Sequence, residues 1–235
     1  MPSVEYQCRV NLNIYDSPEC TSLATQAAAG RHLRIVSPLI DDSAVKAMEI
    51  CLCEDDYPGW LSGADINYLQ EARSPYQPLV LSATQIHDRL SDIIEFTHQA
   101  MQQPNEYLWG GTVGPNYDCS GLMQAAFAAN NIWLPRDAYQ QEAFTQPINF
   151  SDLQPGNLIF FGNAKKATHV GLYLGAGRYI HSSGISQGRN GIGIDVLSEN
   201  GDRVSSTYFR QLRGAGRVVA SYQPQQNTLG NVLLI

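Results

Sequence analysis

One run of residues constrains this chain more than any other: Glu106-Tyr107-Leu108-Trp109-Gly110-Gly111-Thr112-Val113-Gly114-Pro115-Asn116-Tyr117-Asp118-Cys119-Ser120-Gly121-Leu122-Met123. A glycine-rich, proline-containing loop runs into Asp118, and an apolar helical pattern begins at once. Asp118 reads as a helix N-cap, because its carboxylate can accept from the orphan amides of the first turn. Cys119 then takes the first helical position. Leu122, Met123 and Ala126 follow at i+3, i+4 and i+7, so Cys119 begins the stripe that faces the rest of the domain. A thiol there feels the positive end of the helix dipole, which favours thiolate. The bland alternative is a small buried core cysteine.

Two histidines weigh against the bland alternative. Thr168-His169-Val170-Gly171-Leu172-Tyr173-Leu174 alternates like a strand, Gly175-Ala176-Gly177 signals a turn, and Arg178-Tyr179-Ile180-His181-Ser182-Ser183 reads as the returning strand. A three-residue loop pairs positions whose numbers sum to 174 + 178 = 352, which keeps odd with odd on one face. His169 and His181 are then diagonal neighbours, roughly 7–8 Å apart. A cysteine at a helix start with two histidines on one strand pair is the nucleophile–base–orienter arrangement.

These residues carry a family resemblance. Tyr-Leu-Trp-Gly-Gly (107–111), Asp-Cys-Ser-Gly-Leu (118–122), Leu-Pro-Arg (134–136), Gln-Pro-Gly-Asn-Leu-Ile-Phe-Phe (154–161), His-Val-Gly (169–171) and Tyr-Ile-His (179–181) resemble the NlpC family of bacterial cell-wall cysteine peptidases. The likeness covers about residues 83–220 and keeps the order Cys, His, His. A weaker one, Asp56-Tyr57-Pro58-Gly59-Trp60-Leu61 followed by Ile66, Tyr68 and Leu69, is similar to the end of a bacterial SH3-like barrel. The fold expected is α+β: a papain-like NlpC catalytic domain, with a helical lobe and an antiparallel sheet, preceded by a small SH3-like β-barrel. The expected divisions are 1–75 for the barrel, 76–82 for a proline-stiffened linker and 83–235 for the peptidase.

The resemblance implies amide hydrolysis through a Cys119 thioester. His169 is the implied base, and the ion pair it forms should pull the Cys119 pKa from about 8.5 towards ~3–4. His181 is the orienter, a neutral stand-in for Asp or Asn. The Cys119 amide serves an oxyanion hole, and Tyr107 either adds its hydroxyl or packs under the glycines. The substrate implied is a murein peptide, cut between γ-D-glutamate and meso-diaminopimelate or lysine. Asp118, Ser120 and Tyr57 are implied to hold its amino end, while the capping role of Asp118 stands beside that one. Arg136 reads as a structural ion-pair partner and Trp60 as barrel core. Asn157 and Ala138 depart from residues common in the family, Asp and Ser. The serious alternative is a murein amidase or endopeptidase of another bond specificity acting on intact wall. A lipid acyltransferase would place His before Cys, and a pure wall-binding module would need no nucleophile.

Composition narrows the setting. At 235 residues the chain can hold one large or two modest domains. Net charge is 15 − 22 = −7, which argues against nucleic acid and anionic membrane surfaces. No apolar run approaches the roughly 18 residues of a bilayer span, and Met1 to Tyr6 show no signal-peptide pattern. The five cysteines have no zinc-ligand spacing, so neither metal nor cofactor is expected, and free thiols suit a reducing cytoplasm. A cytoplasmic monomer is the expectation. A helix is expected from Ser82 to Gln103, a second over 119–130 and a short one from Pro135 to Gln141. Strands are expected near 158–161, 168–174, 178–183, 192–197 and 217–221.

Overall fold

The structure, a computed structural model, describes residues 4–37, 39–41 and 46–225. The last ten residues, part of the expected peptidase domain, lie outside the described residues. The N-terminal part is all β: β1 (Glu5–Cys8), β2 (Leu12–Tyr15), β3 (Leu23–Ala27), β4 (His32–Ile35), β5 (Ile40–Asp41), β6 (Lys46–Leu52), β7 (Pro58–Ser62) and β8 (Leu69–Glu71). They form one antiparallel sheet in the order β3-β2-β7-β6-β4-β1-β8, with β5 paired to β6. Its inner face is apolar at alternate positions, with Leu12, Ile14, Leu33, Ile50, Leu52 and Leu61 buried. Trp60 is not part of that core. It is half-buried, and its neighbour Leu61 points inward, because successive side chains of a strand alternate faces.

The C-terminal part is α+β. Its helices are α1 (Ala83–His87), α2 (Leu90–Gln102), α3 (Cys119–Ala128), α4 (Ala138–Phe144) and α5 (Arg203–Phe209). Its antiparallel sheet has the order β13-β12-β11-β10-β14-β9. The strands are β9 (Gln146–Ile148), β10 (Leu158–Gly162), β11 (Ala167–Gly175), β12 (Arg178–Ser183), β13 (Gly191–Val196) and β14 (Leu212–Arg217).

Several expected elements shift. The single helix from Ser82 is two, α1 and α2, joined at Asp88-Arg89; Ser82 caps the first in a reciprocal box with Gln85. The helix after Pro135 begins instead at Ala138, behind Asp137 as N-cap. The strand expected at 217–221 is β14, five residues earlier. Gly214 and Gly216 hide it from a propensity reading, yet Gly216 lies against Thr145 where a side chain would collide. α5 is absent from the sequence expectation. Its Val, Ser and Thr residues are poor helix formers, and Asp202 starts it by accepting from the Ser205 amide.

The sheet has two packed faces. Leu158, Phe160, Val170, Leu172 and Ile180 face α2 and α3, where Ile93, Leu122, Met123 and Phe127 are buried. Each such side chain contributes about 1.5–3 kcal/mol. Ile159, Phe161 and Tyr179 face the other way, against Val204 and Tyr208 of α5. The turn between β11 and β12 is shorter than expected. Gly175 pairs with Arg178, and Ala176 and Gly177 both take positive φ. A bulge between Tyr173 and Gly175 absorbs the extra residue, so Leu172↔Ile180 and Tyr173↔Tyr179 keep the register that puts odd with odd.

Barrel and C-terminal part meet through buried and half-buried polar groups. Arg136 Nε donates to Thr25 Oγ1 (2.9 Å), Gln124 donates to Asp55 (2.8 Å), and Thr112 and Gln26 exchange hydrogen bonds. The linker prolines are therefore not alone in relating the two parts.

Candidate active site

Asp118 is the N-cap of α3. Its Oδ1 accepts from the Gly121 amide (2.7 Å) and its Oδ2 from the Gly110 amide (2.9 Å). The loop lies so close to the first turn that a side chain at 121 would collide with the Gly111 carbonyl. Arg136 closes the arrangement with two contacts to the carboxylate, 3.1 and 2.6 Å, and one to Ser120 Oγ (3.0 Å). Arg136 is 2% exposed, so the pair is a buried, bidentate one. Asp118 lines the cleft with Cys119, and both its oxygens already accept from partners inside the chain. The Ser120 hydroxyl is likewise engaged, donating to Asp118 (3.3 Å).

Cys119 therefore stands at a rigid helix start, beside Tyr107, Ser120, Tyr57 and Asp137 in a cleft of about 370 Å³. The expected acid shift of its thiol is not present. Burial pushes the thiol up to about 12, and the neighbouring Asp118 carboxylate adds to the rise. Backbone amides at Val170 and Ser120 and the charge of Arg136 reverse it only in part. A helix dipole is a surface-scale effect, and desolvation outweighs it here. Tyr107 and Tyr208 are both held above the usual phenol range, first by burial and then, among other charges, by Cys119, which places the thiol near both rings.

The base side is built on β11, β12 and β13. His169 stacks on Tyr208 of α5, with centroids 4.2 Å apart at 23°. Its Nε2 lies 2.6 Å from His181 Nδ1, and His181 Nε2 lies 2.6 Å from Asp195 Oδ2. Gly171 stands near His181 and Tyr179; a Cβ there would come within 2.8 Å of the Tyr179 ring. Burial lowers the His169 pKa well below its usual value, and His181 adds to that. Burial also lowers His181, against the opposing pull of Asp195. Burial thus favours the uncharged form of both rings, as it does of the Cys119 thiol.

Sequence reasoning missed Asp195, Arg189, Tyr208 and Asp137. Asp195 was detectable: it is the one acid in the alternating run Gly191-Ile192-Gly193-Ile194-Asp195-Val196. Its pairing with Tyr179 gives it the parity of His181. Tyr57 does reach the cleft, its hydroxyl 3.5 Å from Asp137 Oδ1. The two acids just before Tyr57 in the barrel do not. Asp55 is bound to Arg31 and Gln124, and Asp56 to Arg34 and to the Gln225 amide.

Residues 104–212 match the NlpC/P60 family, and residues 14–66 match the bacterial dipeptidyl-peptidase Sh3 domain. A gamma-D-glutamyl-L-lysine dipeptidyl-peptidase of Bacillus subtilis is 40% identical over 95 residues, 39% of this chain and 30% of that protein. The bifunctional muramidase/DL-endopeptidase CwlT of the same species is 43% identical over 81 residues, 33% of this chain and 25% of that one. A crystal structure of an NlpC/P60 family protein from Bacillus cereus aligns over 93% of this chain and 64% of its own, with 24% identity and a TM-score of 0.49. The chain thus spans less than a third of the length of these two curated relatives. Residues 104–212, with Cys119, His169 and His181 inside them, are an NlpC/P60-family domain, and residues 14–66 ahead of them are a bacterial dipeptidyl-peptidase SH3 domain.

Proposed function

We propose that the chain is a cysteine peptidase that hydrolyses the γ-D-glutamyl–diamino acid amide of murein peptides and prefers those with a free L-Ala-γ-D-Glu end. The observation that carries it is the Cys119 thiol at a buried helix start, held by the Val170 amide next in the chain to His169, whose ring is linked to His181. His169 takes the thiol proton as Sγ attacks the γ-carbonyl carbon, so no standing thiolate is needed. The oxyanion is met by the Cys119 amide and the Tyr107 hydroxyl. Collapse breaks the C–N bond, and His169 gives its proton to the departing amine. Water, deprotonated by the same ring, then cleaves the thioester to a free γ-carboxylate.

The preference for a free amino end draws support from the barrel. Tyr57 lines the cleft beside Asp137, on the side where Asp118 and Ser120 are already engaged. Asp137 takes over the role first read for Asp118. Burial raises its carboxyl, chiefly because its charge is incompletely compensated, and an arriving ammonium supplies the missing partner. The related dipeptidyl-peptidase carries γ-D-glutamyl-L-lysine in its name, which fits the same bond.

The test is kcat/KM on L-Ala-γ-D-Glu-diaminopimelate, on its N-acetyl form and on intact murein. Acetylation should cost at least ~1.5–3 kcal/mol, roughly a 10- to 100-fold loss, and Tyr57→Phe should narrow that gap. Comparable rates on all three would leave the hydrolase and remove the free-end preference. No cleavage of any of them by the wild-type protein would remove the hydrolase.

A further inference from the structure

We propose that Asp195, clamped by Arg189, is a positioning residue that decides which ring nitrogen of His169 carries the proton. The relay starts at the carboxylate. Arg189 Nη2 contacts both oxygens of Asp195, at 2.7 and 2.8 Å, and Ser205 Oγ donates to Oδ1 at 3.4 Å. The guanidinium lies across Gly193, where any side chain would collide with it. Burial alone would raise the Asp195 carboxyl, but the His181 hydrogen bond and the charge of Arg189 hold it below the usual carboxylate range.

An ionised carboxylate only accepts. The 2.6 Å contact therefore puts a proton on His181 Nε2. A neutral imidazole has one N–H, so His181 Nδ1 is bare and can only accept. The second 2.6 Å contact then requires the proton of His169 to sit on Nε2. His169 Nδ1 is left with its lone pair, the nitrogen able to take a thiol proton. In the opposite arrangement His169 Nδ1 carries hydrogen and there is no base. The neighbouring rings do not choose between the two. Tyr208 presents its face to His169 and sends its hydroxyl to Ser183 (2.7 Å), and Phe161 and Tyr179 offer only ring contacts. A purely structural Asp195 would be indifferent to the order of protons, and this one is not.

Asp195→Asn breaks the order while nearly preserving shape. Ser205 donates to the Oδ1 position and keeps the amide oxygen there, which turns the NH2 group towards His181; Arg189 reaches both positions alike. His181 Nε2 must then accept, its proton moves to Nδ1, and His169 is left protonated on Nδ1. In the Ser-His-Asp template the matching Asp→Asn change leaves the geometry intact and lowers kcat about 10⁴-fold; through a second imidazole we expect roughly 100-fold or more. KM should stay unchanged, because Asp195 does not reach the cleft. The experiment is nitrogen-15 NMR of the imidazoles at pH 7, with iodoacetamide labelling of Cys119 and kcat and KM beside it. Expected are Nε2–H forms for both histidines in the wild type, and Nδ1–H forms with slowed labelling in the variant. A wild-type His169 protonated on Nδ1 overturns the proposal, and this arm needs no variant to fold. So does a variant that loses kcat with both Nε2–H forms intact, and so does one that keeps full kcat. Only the kinetic arm rests on the peptidase reading. If the wild type cleaves no murein peptide, that reading fails while the tautomer and labelling arms still decide this one.

Discussion

Asp118–Arg136 on the nucleophile side and Asp195–Arg189 on the base side use the same ion-pair chemistry. Each carboxylate receives two contacts from its arginine and accepts from further donors. The partners differ. Every other donor to Asp118 is a backbone amide or the Ser120 hydroxyl, none of which gains or loses a proton near neutral pH, and Arg136 continues to Thr25 in the barrel. One donor to Asp195 is an imidazole linked to a second imidazole. The first pair consequently sets architecture: helix start, glycine loop and barrel are held at one point. The second sets protonation. An ion pair's role follows from what else it touches, not from its own geometry.

The comparison can be broken from either side. The largest effect should come from the base side. His169→Ala removes the proton acceptor and should lower kcat by about 10²–10⁴-fold. His181→Asn leaves a polar partner for His169 and should retain measurable activity. Equal losses in side-by-side assays would mean that the two histidines act as one unit. The next effect is on stability. Arg136→Ala strands a buried carboxylate and should cost about 3–5 kcal/mol. Arg189, whose side chain is 27% exposed, should cost roughly 1–2 kcal/mol when replaced by Ala, because water can reach the remaining carboxylate. Urea denaturation of the two variants measures the difference, and equal costs would erase the distinction drawn between architectural and protonic pairs. The smallest effect is at the domain seam. Thr25→Val leaves Arg136 Nε without its acceptor and should lower stability by about 1 kcal/mol with kcat unchanged. A large loss of kcat there would show that the barrel contact reaches the nucleophile through Asp118.

Much of the nucleophile side was legible because its signals are local. An Asp before an apolar 3.6-residue stripe and Gly110-Gly111 ahead of it need only neighbours in sequence to be read, and the Asp118 cap and the start of α3 at Cys119 follow from them. The histidine pair was legible through strand parity, and it survived a wrong turn length because the bulge at Tyr173–Gly175 falls above the two rings. The helix that supplies Tyr208 was not legible: Val204, Ser205 and Thr207 are weak helix formers, and burial of Val204 and Tyr208 against Phe161 and Tyr179 stabilises it. Asp195 was readable by parity but meaningless without its partner, since nothing in the spacing links residues 181 and 195 to a common hydrogen bond.

The chain's own order of residues marked the candidate site, Cys119 at a capped helix start and His169 and His181 on one strand face, because capping and alternation are nearest-neighbour rules. Tertiary structure alone decided their protonation. Burial of Cys119 overrides the helix dipole, and the acceptor capacity of Asp118 is taken by an arginine 18 positions away. The anion behind the histidines comes from a strand 14 residues beyond His181. Desolvation and long-range charge depend on how much water and which groups surround an atom, and those are properties of the packed chain.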